Sequence, residues 1–295
     1  MKPQRSSLYV PGNKAAWIEK ATDYGADGLV LDLEDSVPVK EKAQARLMVK
    51  EGLRALKEKG QEFSVRINGL ATGFARDDLE AVVCPELESV LLPKVETVDD
   101  MKELDLLLSR LERRRDMKPG AIETPLVLET ARAMRSAYDI CVGCPRVTGV
   151  TLAAGPGGDA GRSVGYVWSK EGTETLYIRS KAVLDARAAG IDYPLISSWW
   201  DVEDLEGLRK DATLNRSLGF RGQQVMHPSH VPVVNEVFTP TSDELSFCKG
   251  VIEAVKEGEK EGKAAVNYKG DMIDYAMSKT ARQMLEFARS IGLKV

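Results

Sequence analysis

The chain has 295 residues, of which 43% are hydrophobic and 29% are charged, and its formal net charge at pH 7 is -4. This length allows one large domain with a full hydrophobic core, or such a domain with an appendage. The acidic balance and the lack of a basic stripe with interleaved aromatic residues argue against nucleic-acid binding. Two histidines are too few for a histidine-rich zinc or copper site.

The sequence contains no signal-peptide pattern and no apolar run that approaches the ~18 residues of a membrane span. We therefore expect a cytoplasmic protein with no membrane partner. Two of the four cysteines form the motif Cys141-Val-Gly-Cys144. Without a second pair or neighbouring histidines, this spacing does not define a redox or metal site.

Eight short segments rich in β-branched and apolar residues are bounded by Gly, Pro or Asp, which is typical of buried strands. The predicted strands are residues 7–10, 28–33, 63–67, 89–92, 125–128, 147–152, 193–197 and 223–226. Between them lie segments with apolar residues at three- and four-residue spacing, which indicates helices. The predicted helices are residues 14–24, 40–59, 98–115, 131–142, 170–189 and 202–218, with a weaker one over 71–83.

The alternation of eight strands with helices predicts an α/β fold, a (β/α)8 TIM barrel, whose typical size is ~250 residues. A doubly wound open sheet is the alternative. Against it, no G-x-G-x-x-G motif follows the first strand, and polar residues follow many strands instead of one switch point. We predict a barrel over residues 1–240. A helical extension over residues 241–295 is predicted to serve as a lid or an oligomer arm, with one helix at 242–261 and a final segment, 270–274, that leads into another helix.

Two carboxylates follow consecutive predicted strands, at Glu129 and at Asp159. Two carboxylates with open positions for water and substrate oxygens are typical of a Mg²⁺ site. Gly157 and Gly158 allow the backbone to approach a ligand closely and offer free N–H groups. The alternative interpretation is that Glu129 caps the following helix and that Asp159 merely ends a loop.

A cation and an acidic cluster end the second and third predicted strands. Arg66 could grip a substrate carboxylate through two parallel hydrogen bonds, or it could neutralise Asp32, Glu34 or Asp35 in a structural network. Glu34 and Asp35 are candidate catalytic residues that could order waters around a metal, or they could anchor Arg66. His227, at the last strand end, suits a structural role as well as an acid–base role.

Together these motifs resemble the citrate lyase β-subunit-like branch of the aldolase/citrate lyase family. The resemblance covers almost the whole chain, and its implied fold is a TIM barrel with a C-terminal extension. The motifs are RSSLYVPG at 5–12, DGLVLDLEDSVP at 27–38, VRING at 65–69, LLPKVET at 91–97, LVLETARA at 126–133, GGD at 157–159, HPSHVPVVNEVFTP at 227–240 and GDMIDYAMSKTA at 270–281.

The resemblance implies a role for several residues. Mg²⁺ would be bound by Glu129 and Asp159, and Arg66 would hold the carboxylate of a 2-oxo or 2-hydroxy acid. Asp274, in the Met-Ile-Asp motif, would reach the site of a neighbouring subunit as an acid–base group. The positions near the coenzyme A nucleotide would be Pro11 and Lys14.

The activity that the resemblance implies is Mg²⁺-dependent cleavage of a 3-hydroxyacyl-CoA thioester of the malyl-CoA or citramalyl-CoA type. The products would be acetyl-CoA and a small 2-oxo acid, and the protein would form a homotrimer or a dimer of trimers. One departure affects the acyl substrate, because many relatives have an acidic residue at the position of Gly158. The alternatives are a β subunit of a citrate lyase complex acting on a carrier-bound citryl group, a malyl-CoA thioesterase and a pyruvate-type aldolase.

Overall fold

The computed structural model describes residues 2–295. Within this range the chain forms two compact units, Pro3–Glu236 and Val237–Val295. The first unit contains eight strands of one sheet and the helices between them. Its strands are β1 (Ser6–Pro11), β2 (Gly28–Asp32), β3 (Glu62–Arg66), β4 (Ser89–Leu91), β5 (Leu126–Leu128), β6 (Val150–Leu152), β7 (Leu195–Ile196) and β8 (Gly222–Val225).

The eight strands are parallel and follow the order β4-β3-β2-β1-β8-β7-β6-β5. Isolated parallel bridges pair Ser89 with Glu123 and Leu92 with Leu126, and these bridges join the two ends of that order. The sheet is therefore nearly closed into a barrel. The predicted (β/α)8 fold is confirmed, and the doubly wound alternative is wrong.

Helices separate the strands, as the sequence periodicity predicted. Several are shorter than expected, and two of them, α7 and α10, were not predicted. They are α1 (Ala15–Lys20), α2 (Lys42–Glu58), α3 (Ala75–Val82), α4 (Val98–Arg114), α5 (Ala131–Arg135), α6 (Ala137–Gly143), α7 (Asp159–Val164), α8 (Leu176–Ala188), α9 (Leu205–Leu218) and α10 (His230–Phe238).

Two differences from the predicted helices have a clear backbone cause. The helix predicted over 131–142 is divided at Ser136, whose φ of -106° and ψ of 19° leave the α-helical region. The helix predicted over 170–189 begins only at Leu176. Gly172 has a φ of 67°, and a 3₁₀ turn over Thr173–Thr175 follows it, so a continuous α-helix cannot pass through this segment.

The strand register brings polar residues to one level at the carboxyl ends of the strands. Pro11 on β1 is paired with Asp32 on β2, and Asp32 is paired with Arg66 on β3. Side chains alternate between the two faces of a strand, so residues at this level share the same inward direction. Below them, Tyr9 packs against the buried cluster of Val30, Leu91 and Val127.

The second unit consists of two helices and a β-hairpin. Its elements are α11 (Ser242–Lys260), β9 (Ala265–Tyr268), β10 (Asp271–Asp274) and α12 (Tyr275–Ser290). A capping box between Thr241 and Glu244 starts α11. The buried residues of its own core are Val251, Val255, Ile273 and Ala281.

The hairpin of the second unit was not predicted, because its signal lies in two turn residues. Lys269 and Gly270 have φ values of 53° and 97°. Two successive left-handed residues form the tight turns that join antiparallel strands. Lysine at the first position conceals this signal, since asparagine or aspartate is the usual residue there.

Two further expectations concern cysteines and membranes. Cys141 and Cys144 are buried free thiols, and burial raises the pKa of Cys141 to about 12. The thiolate form that redox chemistry requires is therefore disfavoured. None of the helices between residues 2 and 295 combines the length and the apolar character needed to cross a bilayer.

Candidate active site

A cavity of about 390 Å³ opens at the carboxyl ends of the barrel strands. This is the end of a parallel barrel where loops from different strands can combine into a site. The cavity brings together most of the site residues predicted for the barrel. Those that line it are Pro11, Asp32, Asp35, Arg66, Glu129, Gly158 and Asp159.

Arg66 forms an ion pair with Asp32 at the base of this cavity. Its Nε and Nη2 atoms each lie 2.7 Å from a carboxylate oxygen of Asp32, and its Nη1 lies 3.0 Å from Oε2 of Glu34. Burial tends to raise the pKa of Asp32, but hydrogen bonding and charge from Arg66 outweigh it, so the pKa lies below its usual value. Two N–H donors of the guanidinium form hydrogen bonds with Asp32, Nη1 adds a charge contact with Glu34, and the side chain still lines the cavity.

Hydrogen bonds to backbone carbonyl oxygens hold the loop that carries Glu34 and Asp35 in place. The buried Lys42 ammonium donates to the carbonyl oxygens of Leu33 and Glu34 at 2.8 and 2.9 Å. Asn68, from the VRING motif, donates to the same Leu33 carbonyl at 2.9 Å. Glu34 is buried behind Arg66, whereas the Asp35 side chain is 64% exposed at the cavity rim. Of the two, Asp35 is the one that can meet a ligand or water.

Lys94 is a site residue that sequence reasoning missed. Its Nζ lies 2.5 Å from Glu34, 3.7 Å from Asp35 and 3.9 Å from Asp159. Its backbone N–H donates to Oε1 of Glu129. Lys94 has a φ of 56°, which a non-glycine residue rarely adopts. The only sequence signal was its place directly after the fourth strand, within LLPKVET.

Glu129 and Asp159 follow β5 and β6, as predicted. Glu129 does not cap α5, because the Thr130 side chain accepts the capping hydrogen bond from Ala133 N at 3.0 Å. Glu129 is 7% exposed, and burial raises the pKa of its carboxyl to about 7, with a further contribution from the negative charge of Asp159. Asp159 is the first residue of α7, and its carboxylate pairs with Arg162. The two carboxylates therefore face the same cavity.

This donor set fits a Mg²⁺ ion. The Glu129 carboxylate is buried among other negative charges, and the one hydrogen bond it accepts from the described residues is that of Lys94. A buried anion in this position is stabilised by a cation. No group of three or more His, Cys, Asp or Glu side chains within residues 2–295 could hold a metal by itself. Two carboxylates with open positions agree with the preference of Mg²⁺ for few protein ligands.

Two glycines precede Asp159, and the absence of a side chain has a different consequence at each. Gly157 has a φ of 63°, a conformation that glycine adopts without strain. Gly158 has an ordinary φ of -83°, and a Cβ added there would meet no atom within 4 Å. Gly158 lines the cavity, so its missing side chain leaves open space for a ligand.

Besides Glu34, four predicted residues lie outside the cavity lining. Lys14 is exposed at the start of α1 and forms no ion pair with the described residues. His227 is exposed, and its Nδ1 lies 2.7 Å from Oγ of Ser229 in a local turn. Asp274 belongs to the second unit, where it is exposed and accepts a hydrogen bond from Met277 N at 3.1 Å, which caps α12. The fourth, Gly157, is described above.

The cavity wall contains large side chains that the sequence did not single out. Trp200 and Met226 line it and are 49% and 48% exposed, and Tyr9 and Gln224 form part of its floor. A Cβ on Gly155 would lie 2.2 Å from Nε1 of Trp200. Only glycine at this position leaves room for the indole. The sequence signal that could have identified Tyr9 and Gln224 is the alternation of side chains along β1 and β8, which directs every second residue into the barrel.

Comparison with known proteins gives consistent matches over nearly the whole chain. The profile of the family described as HpcH/HpaI aldolase/citrate lyase matches residues 5–228. The citrate lyase subunit beta of Leuconostoc mesenteroides subsp. cremoris is 32% identical over 287 residues, which cover 97% of this chain and 94% of that protein. The mitochondrial citramalyl-CoA lyase of Homo sapiens is 33% identical over 307 aligned positions, with 99% and 87% coverage.

A solved structure extends the similarity to three dimensions. The protein CitE from Mycobacterium tuberculosis, in complex with magnesium, acetoacetate and coenzyme A, superposes with a TM-score of 0.76 at 26% sequence identity. The similarity covers 98% of each chain. It therefore includes the C-terminal helices as well as the barrel.

Proposed function

The chain belongs to the HpcH/HpaI aldolase/citrate lyase family, and from this membership we propose that it is a Mg²⁺-dependent carbon–carbon lyase. Its substrate is a 3-hydroxyacyl-CoA thioester of the malyl-CoA or citramalyl-CoA type, which it cleaves to acetyl-CoA and a 2-oxo acid. The observation that carries the proposal is the meeting of Glu129, Asp159 and Arg66 around one cavity. A metal site and a carboxylate site side by side are what a 2-hydroxy acid group requires.

Within this proposal the barrel residues bind and orient the acid. Glu129 and Asp159 hold Mg²⁺, which when bound supplies Lewis-acid stabilisation to the substrate oxygens. Arg66 directs N–H donors that Asp32 does not occupy to the carboxylate, which fixes the acid in register for bond cleavage. Pairing with Asp32 locks the guanidinium in place. Lys94 balances the negative charge of the carboxylates around it.

Cleavage moves two protons and breaks one carbon–carbon bond. The hydroxyl loses its proton as the carbonyl of the 2-oxo acid forms, and the bonding electron pair leaves with the thioester fragment as an enolate. Asp35 at the rim is our candidate acceptor for the first proton through an ordered water. Glu34 supports this step by holding Arg66 and Lys94. Asp274 of a neighbouring subunit is our candidate donor to the enolate carbon, so the active form is an oligomer.

The coenzyme A portion lies at the mouth of the barrel in this proposal. Pro11 lines the cavity, and Lys14 follows it on the exposed start of α1. Because Lys14 has no carboxylate partner among the described residues, its ammonium is available for a phosphate group. Gly157 and Gly158 leave the approach to Asp159 open for the thioester.

The test is a product analysis with purified protein, Mg²⁺ and a panel of malyl-CoA, β-methylmalyl-CoA and citramalyl-CoA. The proposal expects release of glyoxylate or pyruvate together with a CoA thioester, abolished by EDTA. Release of free malate with CoA would identify a thioesterase instead. No turnover of any member of the panel would overturn the proposed substrate class.

A second candidate is supported by the Leuconostoc relative named citrate lyase subunit beta, whose identity of 32% is close to the 33% of the citramalyl-CoA lyase. In that case the substrate is a citryl group on an acyl carrier. Cleavage of a carrier-bound citryl thioester, with no cleavage of the CoA panel, would favour this candidate.

A further inference from the structure

One buried amide on the cavity floor has unused hydrogen-bond donors. Gln224 on β8 is only 4% exposed, yet it lines the cavity. Its Oε1 accepts a hydrogen bond from the Tyr9 hydroxyl at 3.3 Å. Its Nε2 makes no hydrogen bond with any residue between 2 and 295. A buried amide that lacks acceptors for its N–H groups is unfavourable unless a ligand or water supplies them.

The neighbouring glutamine shows that this feature is specific to the cavity side of the strand. Gln223 Nε2 donates to the Ser197 carbonyl at 3.1 Å and to Asp211 Oδ2 at 3.3 Å. It is fully buried and does not line the cavity. Because side chains alternate along a strand, Gln223 faces the surrounding helices and Gln224 faces the barrel interior. The Gln223 amide N–H groups therefore have acceptors within the protein, whereas those of Gln224 are available to a ligand in the cavity.

Tyr9 fixes the direction of the Gln224 amide. Burial raises the pKa of the Tyr9 hydroxyl to about 12, so it stays protonated and donates to Oε1. With Oε1 held by Tyr9, Nε2 is directed away from the phenol. The Arg66 guanidinium carbon lies 5.0 Å from the centroid of the same Tyr9 ring. Arg66, Tyr9 and Gln224 therefore form one continuous row along the cavity wall.

The donor count of Arg66 indicates which ligand atom Gln224 serves. A guanidinium has five N–H donors, and hydrogen bonds with Asp32 occupy two of them. Three donors remain, while a carboxylate has about four acceptor positions. A carboxylate next to Arg66 can therefore accept from one more neutral donor. The amide of Gln224, which is hydrogen-bonded to the Tyr9 hydroxyl, supplies it.

We propose that Gln224 is a substrate-binding residue that donates an N–H to a carboxylate oxygen of the small 2-oxo acid held by Arg66, with Tyr9 as the residue that positions it. This inference rests on the proposed function and deepens it. The subsite distinguishes acids from aldehydes or ketones of the same size, because a carboxylate offers Arg66 and Gln224 two oxygens and a negative charge.

Direct binding tests the subsite without turnover. Calorimetry with Mg²⁺ and either pyruvate or glyoxylate would be carried out on the wild type and on Gln224→Met and Gln224→Glu. Methionine keeps the length without a donor, and we expect affinity to fall about tenfold, a common loss for one hydrogen bond to a charged group. Glutamate adds a negative charge facing the carboxylate and should weaken binding further. Equal affinity of Gln224→Met and wild type would overturn the assignment.

The positioning role of Tyr9 has its own readout. Tyr9→Phe should raise the KM for the 2-oxo acid in the condensation direction about threefold, with little change in the KM for acetyl-CoA. In a Gln224→Met background the same change should have no further effect, because Tyr9 acts only through the amide. Independent effects in the double variant would show that Tyr9 does not position Gln224.

Gln223→Met is the matched control. It removes an amide whose Nε2 is hydrogen-bonded within the protein, so we expect a lower Tm and an unchanged affinity for pyruvate and glyoxylate. If the wild type binds these acids and Gln224→Met weakens binding while no CoA thioester is cleaved, the proposed reaction fails and the subsite stands. If thioester cleavage occurs and Gln224→Met binds normally, the reaction stands and the subsite fails. A wild type that binds neither acid would overturn the subsite.

Discussion

The backbone N–H of Lys94 donates a hydrogen bond to the carboxylate of Glu129 from a left-handed conformation with a φ of 56°. A non-glycine residue in this region costs about 1–3 kcal/mol. The strain occurs in the loop after β4, where the backbone turns the Lys94 N–H toward the buried carboxylate that follows β5. Backbone strain and carboxylate orientation are therefore linked at this residue.

Comparing Lys94→Gly with Lys94→Val distinguishes the contribution of the Lys94 backbone conformation from that of its ammonium group. Both variants lose the charge, but glycine adopts the left-handed conformation without strain, whereas a β-branched residue resists it. We expect kcat/KM to be about tenfold lower for Lys94→Val than for Lys94→Gly, a difference of roughly 1.4 kcal/mol. Steady-state kinetics with the reactive CoA thioester would measure it.

Asp116 provides the control for this pair, because it has the same φ of 56° at the end of α4 and does not line the cavity. Asp116→Val should be less stable than Asp116→Gly in urea unfolding, with equal kcat/KM for the two. Equal activity of the two Lys94 variants would mean that its backbone conformation does not position Glu129.

Loss of either carboxylate should abolish metal binding. Glu129→Gln and Asp159→Asn keep the side-chain shape and remove one negative charge each. We expect the affinity for Mg²⁺ in calorimetry to fall about 100-fold or more, since loss even of an indirect partner costs 10–100-fold. Glu80→Gln, on α3 and outside the cavity, should bind Mg²⁺ like the wild type. Normal Mg²⁺ affinity of Glu129→Gln would rule out the two-carboxylate site.

Arg66→Lys keeps the positive charge but loses the planar donor fork. Lysine cannot satisfy Asp32 and a substrate carboxylate together, so we expect kcat/KM to fall about 100-fold, or roughly 2.7 kcal/mol. Arg46→Lys is the control, because Arg46 forms a similar ion pair with the buried Asp78, 2.7 Å away on α3. It should lower the Tm and leave the kinetics unchanged. If Arg66→Lys behaved in the same way, Arg66 would be only a structural partner of Asp32.

The fold could be predicted from the sequence because its signals are local and repeated. Each strand carries its own run of β-branched residues between turn residues, and eight repetitions of one pattern admit few architectures. Helix ends were less predictable. At Ser136 and Gly172 the decisive factor is a single backbone conformation, which periodicity does not encode.

The candidate site was predicted only in part, for a related reason. Glu129, Asp159 and Arg66 carry charges at strand ends, where a charged residue is conspicuous. Lys94 acts through its backbone conformation, and Gln224 acts through amide N–H groups that its Tyr9 contact leaves unused. Both features become visible only once neighbouring strands are in place. The pairing of Arg66 with Asp32 likewise depends on the register of β2 and β3.

His230 should make the stability of the protein sensitive to pH. It is 1% exposed, Nε2 lies 3.2 Å from the Val202 carbonyl, and Nδ1 makes no hydrogen bond with the described residues. Burial lowers its pKa, and the charge of His227 adds to this, while the Val202 contact and the charge of Asp201 oppose it. The neutral imidazole is therefore the form that the folded protein favours.

The direction of this pH dependence follows from the lowered pKa of His230. In the unfolded chain histidine titrates near its ordinary pKa of about 6.5. As the pH falls below this value, the unfolded chain binds the proton first, so the free energy of unfolding decreases until the pH passes the lower pKa of the folded state. His230→Gln should show a smaller decrease between about pH 7.5 and about pH 5.5 in urea unfolding. His227→Gln, at the exposed second histidine, should keep most of the wild-type decrease, because burial is the largest cause of the lowered pKa of His230; if His230→Gln keeps the full decrease, the buried ring is not its source.

Asp274 also has a structural role, and a test of its catalytic role must distinguish the two. Its carboxylate caps α12 through Met277 N, and replacement of such a cap by alanine typically costs about 1 kcal/mol. Asn retains a capping oxygen but cannot transfer a proton. We therefore expect Asp274→Asn to keep the wild-type Tm while kcat falls about 100-fold or more, within the usual range for a general acid. If Asp274→Ala lost activity and Asp274→Asn retained it, capping alone would explain the residue.

Subunit mixing decides whether Asp274 acts in a neighbouring subunit. Its surroundings in the second unit include Met272 and Tyr275, which are 79% and 57% exposed, and an apolar surface of this kind often marks an interface. Asp274→Asn and Asp159→Asn are each expected to be nearly inactive, one through the arm and the other through the barrel. If sites are shared, mixed oligomers contain some interfaces that join an intact barrel to an intact arm, so part of the activity returns. Exchange would be verified by mass spectrometry with one isotope-labelled variant. No recovery after verified exchange would mean that each chain completes its own site or that Asp274 is not the proton donor.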